Sequence, residues 1–300
     1  MPSLKAIRRR ITSVKSTGKI TRAMKLVATA KLRKAQERLL QTRPYAVRLT
    51  EMIRQLAAET DNEANPLLQA RPPKRTLVLV LTSDRGLAGA FNANVNKAAW
   101  NWIQRHSDTR EHIELRVVGK KGRDFFKSRK ANVGHVYMDV LNNLTLERAA
   151  GIGRELVAAY VDGGFDEVFV AYNEFRSAMI QNTHVERLLP LVPHESDTEG
   201  RASLQEYQKP AAPGLDTIFE PSKQAVLDAI LPLSINVHIY RCLLESVASE
   251  MGARMTAMDA ATKNASELLA RITLQYNRAR QAIITTELME ITSGAESLKG

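Results

Sequence analysis

Residues 4–56 read LKAIRRRITSVKSTGKITRAMKLVATAKLRKAQERLLQTRPYAVRLTEMIRQL, and one rhythm runs through them. Alternating steps of three and four from Leu4 pass through Ile7, Ile11, Val14, Gly18, Thr21, Lys25, Ala28, Leu32, Ala35, Leu39, Thr42, Ala46, Leu49, Ile53 and Leu56. Twelve of these sixteen positions are apolar. Everything between them is rich in charge. The first 58 residues hold 15 Lys and Arg against only Glu37 and Glu51, a balance of +13 where the whole chain carries +11. A basic helix with a single narrow apolar seam must lie against another helix.

The end of the chain supplies a second seam. Steps from Val226 give Ile230, Leu233, Val237, Tyr240, Leu244, Val247, Met251, Arg254, Met258, Ala261, Ala265, Leu268, Ile272, Gln275, Ala279, Ala282, Thr286 and Met289. Only Arg254, Gln275 and Thr286 interrupt it. A sustained 3.5-residue period predicts a left-handed supercoil. At about 1.5 Å per residue, Pro2–Ala57 and Ser234–Ile291 would reach roughly 84 and 87 Å. The simplest arrangement wraps the two terminal helices on each other, antiparallel, with the rest of the chain inserted between them. Coiled coils formed with other chains are the alternative. Both seams use many alanines, which suits close helix approach, and neither has the flanking charge alternation of a homodimer.

Between the rods, residues 61–73 form a break rich in Pro and Asn, followed by an apolar run, TLVLVLT, over 76–82. The turn SDRGLAGAFN at 83–92 leads into a helix through Trp100 and Ile103. Further strands are expected at 113–118, 167–172 and, at a sheet edge, 179–189, with helices at 122–128 and 144–161. Alternation of strand and helix argues for a mainly parallel, Rossmann-like sheet covered on both faces. The fold class is therefore α/β: a long antiparallel coiled coil of the N- and C-terminal helices with an inserted Rossmann-like α/β domain. Its segments are 1–58 (N-terminal helix), 74–193 (central domain), 194–222 (surface loop) and 223–292 (C-terminal helix). Pro232 should kink the second rod or mark its start.

Three hundred residues allow two domains. The single cysteine, Cys242, cannot form an internal disulfide and fits a reducing compartment. No run of 18 apolar residues occurs, so no membrane span is predicted. Catalytic signals are weak. The turn at Gly86 and Gly89 lacks the G-x-G-x-x-G spacing, and no G-x-x-x-x-G-K-[ST] is present. The histidines at 106, 112, 135, 184, 194 and 238 are scattered, and His238 with Cys242 makes only one i,i+4 pair, too few ligands for a metal. No catalytic residue, cofactor site or metal site is expected. Asp84 and Arg85 could pair with each other or cap the next helix.

The basic rod could meet nucleic acid, acidic lipid or an acidic protein. Against nucleic acid, it carries one aromatic residue, Tyr45, and no sequence signal of a DNA-binding module. Against lipid, its stripe is narrow and lacks Trp and Phe. An acidic protein surface is left.

Three segments resemble one family. LKAIRRRITSVKSTGKITRAMKLVATAKLRKAQ (4–36), SDRGLAGAFN (83–92) and the stretch 245–295 are similar to the N-terminal helix, central-domain turn and C-terminal helix of γ subunits of F-type ATP synthases, of the bacterial type. The resemblance covers essentially the whole chain. It implies a central-stalk rotor that couples proton translocation through a ring of c subunits to ATP synthesis or hydrolysis in an α3β3 ring, and that is not catalytic by itself. The implied partners are the α and β subunits, the ε subunit and the c-ring, with no nucleic acid, and with membrane association only through the Fo sector.

Residue by residue, the resemblance implies rotor–stator contact for Met24, Lys25, Arg254, Gln281 and Thr285. For Glu220 it implies a weaker match to the foot that meets ε and the c-ring. Met24 and Thr285 could also simply pack, and Arg254 could snorkel off the seam. Ala88 stands where many relatives have Cys, and the extra cysteine pair of the chloroplast type is missing, so redox switching of that kind is not expected. The loop 194–214 is the least family-like stretch. A start at the family's mature N-terminus points to the cytoplasmic face of a bacterial inner membrane. Two rival readings stay open on sequence alone: an α/β enzyme with a dimerisation hairpin, and a basic coiled-coil adaptor for nucleic acid.

Overall fold

The structure, a computed structural model, describes residues 3–59, 65–191 and 219–297. The helices α1 (Leu4–Glu59) and α5 (Lys223–Ser297) flank, in sequence, β1 (Arg75–Leu81), α2 (Phe91–His106), β2 (His112–Val118), α3 (Lys120–Ser128), β3 (Val133–Tyr137), α4 (Leu146–Val161), β4 (Glu167–Phe175) and β5 (Gln181–Leu189). The strands form one sheet in the order β3-β2-β1-β4-β5. The first four are mutually parallel and β5 runs antiparallel to β4. This is the α/β class expected, with terminal helices and a central mixed sheet.

By compactness the chain divides inside both long helices. One unit is Met1–Ala28 with Arg254–Gly300, and the other is Thr29–Ala253.

In the larger unit, β1 lies at the centre of the sheet and is buried on both faces, which is why its sequence is an unbroken apolar run. Alternate residues serve opposite layers. Leu77, Leu79 and Leu81 join a core with Ile152 and Leu156 of α4 and Leu227, Leu231, Ile235 and Ile239 of α5. Val78 and Val80 join a second core with Val95 and Ala99 of α2 and Phe126 of α3.

The expected seam of α5 needs correction here. Its most buried residues, Leu227, Leu231, Ile235, Ile239 and Leu243, lie beside that seam, while Leu233 on it is 41% exposed. The cause is a second neighbour: this part of α5 packs on the sheet as well as on α1. All six side chains from Arg241 to Ser246 are buried in consequence. The helix also runs through Pro232 and begins nine residues earlier, at Lys223, so the proline does not mark its start. One stretch of α5 is long and apolar enough to cross a membrane by composition, and 44% of it is buried inside the protein.

In the smaller unit the helices run antiparallel. Thr21 faces Thr262, with their hydroxyls 2.7 Å apart. Lys25 Nζ donates to Asp259 Oδ1 at 2.5 Å, and a Cβ placed on Gly18 would meet Ala265 Cβ at 3.6 Å. Ile7 of α1 and Met258 and Ile272 of α5 are buried. Counting from Thr21 against Thr262, Leu4 falls opposite Ala279. The expected seam beyond Ala279 therefore has no α1 to meet, and every residue from Arg280 to Gly294 is exposed.

Two other expectations change. The edge strand β3, VGHVY, was not foreseen. It is half exposed and interrupted by Gly134 and His135, so it lacks an apolar run. Residues 192–218 lie outside the described residues, and with them most of the expected surface loop.

Candidate functional site

In doubly wound sheets ligands enter where the strand order reverses, beyond the carboxyl ends of the strands. Here that point lies between β1 and β4, and protein groups occupy it. Asn173 Nδ2 donates to the Phe91 carbonyl at the start of α2 (3.1 Å), and Asn173 Oδ1 accepts from Thr183 Oγ1 (2.6 Å). Ser249 of α5 donates to the Asn173 carbonyl at 3.0 Å. Ala88, Phe91 and Ala253 close a small apolar cluster over the turn. Gly89 has φ +54°, the left-handed region that glycine adopts without strain, and its α-carbon side faces the Ala253 carbonyl.

The turn is tied internally. Ser83 N donates to Asn92 Oδ1 at 2.9 Å. Asp84 spans the strand ends, accepting from Lys120 N at 3.0 Å and Asp139 N at 3.1 Å. It thus caps α3, whereas the helix that follows it, α2, has no side-chain cap. Asp139 in turn accepts from Asn142 (2.9 Å) and Asn143 (2.6 Å), and these two hydrogen bonds hold its carboxyl below the usual carboxylate range. The same loop borders a cleft of about 380 Å³ whose other wall carries Lys31, Lys34 and Arg38 over Leu244 and Met251.

Sequence spacing offered only His238 and Cys242 as a metal pair. The fold adds Glu186 of β5. His238 Nε2 lies 2.7 Å from Glu186 Oε1, Cys242 Sγ lies 3.7 Å from the same oxygen, and Arg241 donates to it at 3.3 Å. Burial, then the Glu186 carboxylate, push the Cys242 thiol well above its ordinary pKa, so it is no nucleophile.

The residues singled out for partner contact sit as follows. Met24 and Lys25 are half-buried on α1, and Arg254 on α5 is 9% exposed. Gln281 and Thr285 lie on the bare end of α5, both exposed, with the Thr285 hydroxyl donating to the Gln281 carbonyl at 2.9 Å. Glu220 is exposed just before α5. The helices bring Lys25 beside Asp259; Glu220 belongs to the larger unit, and the other five to the smaller one.

Sequence reasoning followed the seams and so passed over apolar residues off them. Ile20, Leu26 and Val27 of α1 are 57%, 67% and 57% exposed, and Ile283, Ile284, Leu288 and Ile291 are exposed on α5, as is Met289 on its seam. An apolar side chain off the seam of a strongly basic helix is the signal that would have found the first three. Their neighbours Lys15, Lys19, Arg22, Lys31, Arg33 and Lys34 point to solvent. This surface offers apolar patches framed by positive charge, the chemistry of a protein-docking face rather than of a reaction centre.

Known proteins resemble the chain along nearly its whole length. The ATP synthase family model matches residues 3–298. The ATP synthase gamma chain of Geobacter metallireducens is 50% identical over 300 residues, covering 100% of both chains. That of Anaeromyxobacter dehalogenans is 48% identical over 302 residues, again covering 100% of both. Among solved structures, a central stalk/c-ring chain of the Tetrahymena thermophila mitochondrial ATP synthase superposes with a TM-score of 0.58 at 27% identity, over 81% of this chain and 99% of that one. A chain of the Euglena gracilis mitochondrial ATP synthase shares the fold, with a TM-score of 0.69 at 20% identity over 98% and 94% of the two chains. With the family model spanning nearly every residue and relatives at half identity from end to end, the chain belongs to the ATP synthase gamma chain family.

Proposed function

We propose that this γ chain is the central-stalk rotor of a bacterial F1Fo ATP synthase, coupling proton flow through a c-ring to ATP synthesis and hydrolysis in an α3β3 ring. The observation that carries this reading is the bare end of α5. From Arg280 to Gly294 the helix is wholly exposed, yet it displays Ile283, Ile284, Leu288, Met289 and Ile291. Five large apolar side chains on one solvated helix are costly in isolation and suit insertion into a surrounding partner.

The rotor acts by unequal contact. A single chain meeting three equivalent partners touches each differently, and only such differences can shift their ligand affinities. In this reading Met24, Lys25 and Arg254 meet the ring at one level of the shaft, and Gln281 and Thr285 meet it higher up. The cationic face of α1 matches acidic segments on the β subunits. Individual exposed pairs are worth about 0–1 kcal/mol, which suits contacts made and broken on every turn. The foot, including Glu220, meets ε and the c-ring. The complex lies on the cytoplasmic face of the inner membrane, and the chain reaches the membrane only through the Fo sector.

The chain does no bond chemistry by itself and needs no cofactor in this reading. The packing beyond β1 and β4 supports this, with Asn173 bonded to the Phe91 carbonyl, Ser249 to the Asn173 carbonyl, and Ala253 against Phe91. The test is reconstitution. The purified chain should hydrolyse no ATP, and adding it to α and β subunits should give an active complex. Stoichiometric nucleotide binding by the chain alone would favour an enzyme instead.

A further inference from the structure

We propose that Cys242, His238 and Glu186 form a binding site for one soft divalent cation of the zinc class. The three donor atoms, a sulfur, a ring nitrogen and a carboxylate oxygen, lie within 4.8 Å of one another. Two of the donors come from successive turns of α5 and the third from the edge strand β5, so an ion here would pin the long helix to the sheet. This proposal does not depend on the rotor reading.

The spacing fits. Metal–ligand distances of about 2.0–2.3 Å in a tetrahedral site place donor atoms roughly 3.3–3.7 Å apart. Cys242 Sγ already stands 3.7 Å from Glu186 Oε1. The His238–Glu186 pair is closer, 2.7 Å, because a hydrogen bond holds it. An ion entering there replaces that shared proton and opens the pair by about half an ångström.

The charges also balance between the ion and its ligands. Cys242 releases its thiol proton to solvent, and the proton shared by His238 Nε2 and Glu186 moves to His238 Nδ1, leaving the Nε2 lone pair and the carboxylate oxygen for the ion. A dication with a thiolate and a carboxylate is neutral, the Arg241 guanidinium beside them leaves the cluster with one positive charge, and water completes the fourth position. The His238 and Glu186 side chains are 17% and 16% exposed and give the ion its way in, while Cys242 closes the inner side.

Arg241 decides which ions qualify. Its guanidinium stands 3.3 Å from the same Glu186 oxygen and 3.5 Å from His238 Nε2. A fixed positive charge this close rejects hard cations, which are held by oxygen charge alone. Affinity must come from sulfur and imidazole, the donors that favour zinc and cobalt over magnesium and calcium. Arg241 shares the donor oxygen of Glu186, so an ion entering the site displaces its hydrogen bond to that oxygen.

The experiment is a cobalt titration of the full-length chain, kept reduced and metal-free beforehand. Because Cys242 is its one cysteine, any sulfur-to-metal band has a single possible source. The expected result is the intense visible spectrum of tetrahedral Co2+ with a near-ultraviolet thiolate charge-transfer band. One proton should be released per ion. One equivalent of Zn2+ should erase the bands, and a large excess of Mg2+ should leave them. Cys242→Ser should abolish the charge-transfer band, and His238→Gln should weaken binding by about tenfold or more. A folded chain, judged by circular dichroism, that gives only the pale octahedral spectrum would overturn the proposal. So would a charge-transfer band that survives in Cys242→Ser.

Discussion

Thr21 and Thr262 stand hydroxyl to hydroxyl, 2.7 Å apart, although 241 residues separate them in sequence. One hydroxyl donates to the other, and the accepting one is left to donate to its own helix, Thr21 to the Gly18 carbonyl or Thr262 to the Met258 carbonyl. The pair fixes both direction and register of the two helices in the smaller unit. The double variant Thr21→Cys/Thr262→Cys should therefore form an intramolecular disulfide on mild oxidation, seen as a mobility shift that a reductant reverses. Cys242 is buried and will not compete. A folded double variant that stays reduced would place the two ends of the chain apart.

Two glycines of α4 make a matched pair. A Cβ on Gly151 meets nothing within 4 Å, while one on Gly153 collides with the Asn236 side chain of α5. Gly151→Ala should leave the melting temperature unchanged or raise it, helix propensity favouring alanine by up to about 1 kcal/mol. Gly153→Ala should cost about 1–3 kcal/mol through overpacking. Thermal denaturation of the two variants, side by side, tests how closely α4 lies on α5.

Truncation after Arg280 removes only exposed residues of the described chain. The melting transition of the isolated protein should move by no more than surface changes do, about 0.5 kcal/mol. Coupled ATP synthesis by the reconstituted complex should fall markedly. Undiminished proton-driven synthesis by the truncated rotor would contradict the role given to Gln281 and Thr285.

Asp139 carries a pH signature. Asn142 and Asn143 donate to its carboxylate and lower its pKa in the folded chain. A depressed carboxyl contributes to folding above its unfolded pKa, and that contribution is lost as pH falls through the folded value. The Asn142 and Asn143 hydrogen bonds should accordingly persist through mild acid and be lost as pH falls through the lowered Asp139 value. NMR titration of the Asp139 carboxyl should give a midpoint below that of a free aspartate, and Asn142→Ala with Asn143→Ala should return it towards normal.

The sequence was most informative where one period had one cause. On α1 none of the sixteen seam positions is exposed, and the period holds from Leu4 to Leu56. On α5 the same arithmetic drifted, because from Leu227 to Leu243 the helix answers to the sheet as well, and a 3.5-residue period cannot describe two contacts at once. β1 announced itself by an apolar run that only a central strand needs, whereas β3, at an edge and half exposed, had no such run to offer. The Glu186–His238–Cys242 cluster lay beyond sequence spacing for a simpler reason. Residue 186 reaches residues 238 and 242 only when β5 is laid beneath α5, a relationship that spacing along the chain does not encode.

One consequence of the packed crevice between β1 and β4 concerns inhibitor discovery. Compounds that imitate adenine nucleotides would meet the protein's own Asn173, Phe91 and Ala253 at this crevice. A molecule meant to stall this chain would have to grip its outer surface. There the off-seam apolar residues Leu26 and Val27, exposed on a helix rich in lysine and arginine, present the footing for a greasy, anionic wedge.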